Sequence, residues 1–139
     1  MPLYRNPFKQ GRKQGVDRRV KEILDFVGLS FAKDELASGL PHGYQRALGI
    51  AVALAAEPDL LMLDEPLTGM NAEEIKGMVS RLDRLHRETG MAIVLVEHNI
   101  QAIMDLCGRI AVLNFGRKIA EGTPREIQAD PAVIEAYLG

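Results

Sequence analysis

Apolar positions along the chain fall into two patterns: short unbroken runs, and stripes at helical spacing. Leu60-Leu61-Met62-Leu63 is an unbroken run that ends in Asp64-Glu65-Pro66. Met91-Ala92-Ile93-Val94-Leu95-Val96 is a second, ending in Glu97-His98-Asn99. Runs of this kind predict strands buried on both faces, as in parallel sheets flanked by helices. Between them, Ile75, Met78, Val79, Leu82 and Leu85 form one helical stripe, a core face rather than a cofactor box. Asn71 followed by Glu74 predicts the capping box that opens that helix.

The flanking segments read in the same way. Val20, Ile23, Leu24 and Val27 share a helical face, with Asp17 as the predicted cap and Gly28 as the stop. The turn Leu40-Pro41-His42-Gly43-Tyr44-Gln45-Arg46 leads into an apolar helix, Ala47 to Ala56. A helix around residues 100–107 is expected to carry Cys107 on its apolar face in a packing role. Arg109 to Leu113 and Arg117 to Glu121 flank Asn114-Phe115-Gly116, a hairpin signal. Thr123-Pro124-Arg125-Glu126 supplies a cap, a proline at the first helical position and a return acid; Asp130-Pro131 starts a last short helix by the same device. These elements are scaffold. No internal repeat or low-complexity segment interrupts them.

Strands and helices in this order predict an α/β fold, and in open α/β sheets ligands sit beyond the carboxyl ends of the strands. A paired Asp64-Glu65 at such an end can divide two jobs, one acid holding a metal ion through water and the other taking a proton from an attacking water. A strand that simply stops in a polar loop is the alternative. At 139 residues the chain is long enough for one core. A net charge of −2 creates no demand for nucleic acid. The single cysteine excludes an internal disulfide and suits a reducing compartment. No apolar segment approaches bilayer length and the N-terminus lacks a signal peptide's apolar core, so membrane association is expected only through partners. In the first 21 residues, Arg5, Lys9, Arg12, Lys13, Arg18, Arg19 and Lys21 face only Asp17. Such a stretch reads as a solvated tail and helix start, with an anionic-lipid or nucleic-acid patch as the alternative.

The ordered set resembles the ATP-binding cassette ATPases over nearly the whole chain. Its members are the Gly43/Gln45 turn and helix, the apolar strand with Asp64-Glu65-Pro66, the polar loop Leu67-Thr68-Gly69-Met70-Asn71, and the strand ending in His98. The ending Glu121-Gly122-Thr123-Pro124, Asp130-Pro131 and Ala136-Tyr137-Leu138-Gly139 is similar to the subgroup that energises branched-chain amino-acid and related amide importers. The resemblance implies a partial P-loop NTPase (RecA-like) core with parallel strands flanked by helices, a C-terminal β-hairpin and short helices. It places residues 1–47 in a remnant of the helical subdomain with the signature turn, and residues 48–139 in the C-terminal part of the catalytic core.

Carried over residue by residue, Asp64 matches the aspartate that holds Mg²⁺ through ordered water, a role one carboxylate can fill. Glu65 matches the acid that polarises the attacking water, and His98 the switch histidine that reaches the γ-phosphate of ATP. Glu97 reads as a structural acid rather than a second base. Leu40-Pro41-His42-Gly43-Tyr44, followed by Gln45, aligns with the signature Leu-Ser-Gly-Gly-Gln; only Leu40 and Gly43 are kept, and Pro41 replaces the serine whose hydroxyl would bond phosphate. The helix N-terminus and the His42 imidazole can still offer donors to an anion, and a plain helix-initiating turn is the alternative. Gly69 and Asn71 lie in the segment that resembles the crossing between two ATPases of a dimer, with an ordinary helix cap as the alternative.

The departures matter too. No Gly-x-x-x-x-Gly-Lys-[Ser/Thr] occurs in the 139 residues, and that loop is what cradles nucleotide phosphates. The family's upstream glutamine loop and adenine-stacking aromatic are not identifiable, since Gln10 and Gln14 lie in the basic stretch. The sequence therefore resembles the C-terminal half of a cassette. Expected partners are a second cassette ATPase and transmembrane permease subunits, with a peripheral place on the cytoplasmic face of the inner membrane and no nucleic acid. Open strand edges beside Leu60–Leu63 are expected to favour pairing with another chain. A non-catalytic module that binds permease or a complete cassette is the second function class. A DNA-repair or chromosome-associated cassette would show long coiled-coil heptads or a basic groove, and neither is evident.

Overall fold

The two apolar runs form strands β1 (Leu60–Asp64) and β2 (Ala92–Val96) in the computed structural model, which describes residues 15–137. The strands pair in parallel, Leu60 opposite Ala92 and Asp64 opposite Val96. Among the described residues these two strands make one sheet and a separate antiparallel pair makes the other. The chain divides into two units, residues 1–98 and 99–139.

In the first unit, helix α3 (Ala72–Thr89) connects β1 to β2. Its start is the expected capping box: Asn71 Oδ1 accepts from Glu74 N at 3.0 Å, and Glu74 Oε2 accepts from Asn71 N at 2.8 Å. Met78, Leu82 and Leu85 of the predicted stripe are buried, and Ile75 and Val79 are half-buried. Helices α1 (Val16–Val27) and α2 (His42–Ala55) pack against each other, α1 also meets α3, and α2 lies on β1. Leu29, Leu54, Leu82 and Leu85 are the large side chains most completely withdrawn from water. Arg19 pairs with Glu57 at the turn into β1, and the Arg84 guanidinium lies over the Phe26 ring, 5.2 Å from its centroid.

Three expectations are corrected here. Asp17 is not the cap of α1: Gly15 holds that position without a side-chain bond, and Asp17 sits in the first turn, where its charge favours the positive end of the helix dipole. Gly28 does end the helix, with φ 80°. Helix α2 starts at His42 rather than Ala47, because proline needs no N–H at a helix start and its carbonyl already accepts from Gln45 N at 3.0 Å. The helix therefore runs through the 47/48 boundary. Finally, β1 is not buried on both faces. Leu61 and Leu63 are buried, whereas Leu60 and Met62 are 47% and 71% exposed, as are Val94 (46%) and Val96 (58%) of β2. An unbroken apolar run anticipates cover on both sides, and the described residues cover one.

The second unit begins with α4 (Ile100–Leu106), capped by Asn99, whose Oδ1 accepts from Ala102 N at 3.0 Å. The predicted hairpin is present as β3 (Ile110–Asn114) and β4 (Arg117–Gly122), with both turn residues, Phe115 and Gly116, at positive φ and a register shift at Val112/Leu113. Helix α5 (Pro124–Ala129) has the anticipated Thr123/Glu126 capping box, and Asp130 Oδ1 accepts from Ala132 N to start α6 (Pro131–Tyr137). Ile110, Val112 and Ile127 form the core, with Ile103, Met104 and Cys107 packed against it. Cys107 lies just past the end of α4, and burial pushes its thiol up, in keeping with a packing role.

No helix among the described residues is long and apolar enough to cross a membrane. Arg5, Lys9, Arg12 and Lys13 of the basic stretch, with Gln10 and Gln14, lie outside the described residues. Of the described members, Arg18 pairs with Glu22 on the exposed helix surface, whereas Arg19 is part-buried in its pair with Glu57.

Two predictions follow from this packing. Leu82→Ala leaves a cavity where no water reaches the native side chain, and should lower unfolding stability by roughly 2–5 kcal/mol, read from the denaturant midpoint at constant slope. In the second unit, hydrogen bonds from Lys118 and Arg109 hold the Glu121 carboxyl below the usual range, and the Thr123 backbone N–H does the same for Glu126. Groups whose folded pKa is depressed stabilise at pH values above their unfolded pKa, and lose that contribution as pH falls through the folded one. The thermal midpoint should therefore drop as pH falls below the ordinary glutamate range. Glu126→Gln should flatten part of that fall, as followed by circular dichroism.

Candidate functional site

The site is built at the carboxyl ends of β1 and β2. Pairing continues one residue past β1, since Glu65 N donates to Val96 O at 2.8 Å. Glu65 itself takes φ 46°, the left-handed region that a Cβ disfavours by crowding the backbone carbonyl oxygen, a strain of about 1–3 kcal/mol of the kind concentrated at functional sites. The parallel register sets Asp64 beside Val96, so the chain leaving β1 and the chain leaving β2 emerge side by side. Glu65 Oε1 consequently lies 3.5 Å from His98 Nδ1. Both side chains are more than half exposed, so the pair adds little to stability. Its value is in placing an acid and an imidazole at one point on the surface.

Glu97 bonds to the backbone on both sides of this pair. Its Oε1 accepts from Leu67 N at 2.9 Å and its Oε2 from His98 N at 3.1 Å. Thirty residues apart in sequence, the loop after β1 and the end of β2 are tied by one carboxylate. Glu97 is thus engaged in structure, in line with the reading of it as a structural acid.

A second grouping lies at the start of α2. His42, Gly43 and Tyr44 form its first turn, where backbone N–H groups have no acceptor within the helix. Gly43 is buried, and a Cβ there would fall 3.2 Å from both Glu74 Oε2 and Met70 Cγ and 3.5 Å from Gly69 O. Gly69 has φ 82°, a conformation suited to glycine, and a Cβ there would meet His42 Cβ at 3.3 Å. The turn carrying His42 and Gly43 therefore rests directly on the loop that follows the acids. Residues 65–71 are the link between the two groupings.

The remaining candidates have structural partners. The Tyr44 ring meets Phe31 edge-on, with centroids 5.2 Å apart. Gln45 Nε2 donates to Leu40 O at 2.8 Å, closing the turn on itself, and Leu40 is half-buried. The Asn71 side-chain oxygen is engaged in the α3 cap. Sequence reasoning did not anticipate the bond from Leu67 to Glu97 or the Glu74 carboxylate against Gly43. An acid directly after an apolar strand, as Glu97 is, was the available signal for the first.

The donor set fits a magnesium ion in part. Among the described residues no cluster of three or more His, Cys, Asp or Glu side chains forms, and no buried side-chain nitrogen or oxygen lacks a partner. The site is thus no closed metal cage. Asp64 offers one exposed carboxylate at the strand end, which suits a cation that keeps most of its waters and takes its other ligands from phosphates.

A family model described as ABC transporter matches residues 4–68, and one described as branched-chain amino acid ATP-binding cassette transporter matches residues 117–139. The high-affinity branched-chain amino acid transport ATP-binding protein LivG of Salmonella typhimurium is 38% identical over 95% of this chain and 51% of its own length. Among solved structures, MJ1267, an ATP-binding cassette of an ABC transporter, superposes with a TM-score of 0.79 at 24% identity, covering 93% of this chain and 52% of that one. The ATP-binding cassette MJ0796, in a dimeric post-hydrolysis state bound to ADP and Pi, does so with a TM-score of 0.72 at 27% identity, over 84% of this chain and 51% of that one. The chain spans about half the length of the curated relatives it matches. On these matches, which together span residues 4–68 and 117–139 and nearly the whole chain in the curated relatives, it belongs to the ATP-binding cassette family.

Proposed function

We propose that this chain contributes the acid-and-switch part of an ATPase cassette that drives uptake of branched-chain amino acids or related solutes. The observation that carries this reading is the 3.5 Å approach of Glu65 to His98 at the carboxyl ends of two parallel strands, where α/β proteins bind ligands. Asp64 would hold Mg²⁺ through ordered water, and the ion, when bound, would neutralise charge on the phosphates. Glu65 would accept a proton from the attacking water, and His98 would donate to the γ-phosphate of ATP. Residues 1–47 would belong to the helical subdomain with the signature turn, and residues 48–139 to the C-terminal part of the core. The protein would work on the cytoplasmic face of the inner membrane, held there by permease subunits.

The phosphate cradle has to come from residues outside these 139, which contain no Gly-x-x-x-x-Gly-Lys-[Ser/Thr]. The family's head-to-tail dimer supplies one arrangement. The first turn of α2, with Gly43 and His42, would face the ATP held by a complete partner cassette, and that site would function. With these 139 residues alone opposite such a partner, the other site would have Asp64, Glu65 and His98 but no cradle among them, and would be silent. Pro41, which has no hydroxyl to offer a phosphate, favours a second reading, in which the chain binds permease or a complete cassette without taking part in hydrolysis.

By itself the chain should hydrolyse Mg-ATP at a negligible rate, because phosphoryl transfer depends on positioning. Turnover by the isolated chain at the rate of a complete cassette would overturn this. Calorimetric titration of the chain mixed with a complete cassette should count one ATP per heterodimer; two or none would reject the shared-site arrangement. Gly43→Val places bulk against Glu74, Met70 and Gly69, and should cut the partner-dependent hydrolysis at least about tenfold. Unchanged hydrolysis would favour the interaction-only module.

A further inference from the structure

We propose that Glu97 is a positioning residue that sets the spacing between Glu65 and His98. It carries one half-buried carboxylate with two oxygens, each on a different backbone N–H. One oxygen takes Leu67 N, two residues beyond Glu65, at 2.9 Å; the other takes His98 N at 3.1 Å. Strand pairing alone leaves each of these loops free to swing after its last ladder bond, which here is Glu65 N to Val96 O. The carboxylate removes that freedom on both sides at once. Leu67 is itself buried, so the loop is held by its side chain below and by Glu97 at its backbone.

The chemistry requires a carboxylate. Both groups to be held are donors, so the holder needs two acceptors on one rigid plane. Glutamine has one acceptor and would set its NH₂ against the second N–H. Aspartate is one methylene shorter and cannot span the same gap. Ionised acceptors also make stronger bonds to backbone N–H than neutral ones. Only the catalytic consequence of this clamp rests on the ATPase reading; the clamp itself can be measured without nucleotide.

The test is amide hydrogen exchange by nuclear magnetic resonance on the 139-residue chain, comparing the native protein with Glu97→Ala and Glu97→Gln. In Glu97→Ala the Leu67 and His98 amides should exchange at least about tenfold faster, while Ile93 and Leu95 within β2 keep their native rates. The His98 ring carbons should show increased fast motion by ¹³C relaxation. Glu97→Gln should restore protection at one of the two amides and leave the other fast. Equal rates in native and Glu97→Ala protein, or acceleration spread evenly along β1 and β2, would overturn the proposal. Localised loss together with absence of ATPase activity in any assembly would uphold the clamp and reject only the ATPase reading.

Discussion

Parallel pairing of β1 with β2 is the constraint from which the rest of the site follows. Two parallel strands deliver their carboxyl ends to the same edge, and the connecting helix returns the chain to begin the second strand at the level of the first. With Asp64 opposite Val96, the residues just past each strand become neighbours although they are more than thirty positions apart. A slip of one residue would turn the alternating side chains to the opposite face, taking Leu61 and Leu63 out of the core. The burial of those two leucines therefore also fixes where Glu65 and His98 meet. Core and site are specified by the same register.

The segment between Glu65 and Asn71 is held by more bonds than a loop of its length needs for connection. Thr68 N donates to Glu65 O and Met70 N to Leu67 O, Glu97 holds Leu67 N, and Glu74 holds Asn71 N. The left-handed backbone at Glu65 survives because its neighbours are fixed on both sides. The His42–Gly43 turn then rests on this same segment through Gly69 and Met70.

Much of this was legible in the sequence because it is written in local chemistry. The two capping boxes, the hairpin turn at Phe115-Gly116 and the apolar strands each depend on residues within a few positions of one another, and each formed. The acids and the histidine were legible as an ordered set, though not their distance, which depends on strand register. Three things were hidden. The early start of α2 turned on Pro41 acting as a tolerated helix opener rather than a breaker. The bond from Leu67 to Glu97 is long-range and uses a backbone donor, so the acid after the apolar strand announces an acceptor but not its partner. The half-exposed sheet could not be read at all, because the runs around Met62 and Val94 record the environment they suit and not the one the described residues provide.

That exposure bears on how the site can act. Glu65 and His98 are each more than half open to solvent, so their geometry is prepared while their electrostatic effect is screened. Preorganised groups stabilise a developing charge strongly only where water is excluded. Both deficits, the open apolar face and the wet acidic edge, would be met by further protein surface laid against the sheet and against α2. The proposed site side chains and the frame that aligns them lie within residues 42–98. On the proposed reading, the dry environment that would make them effective would be completed by contact with residues outside this segment.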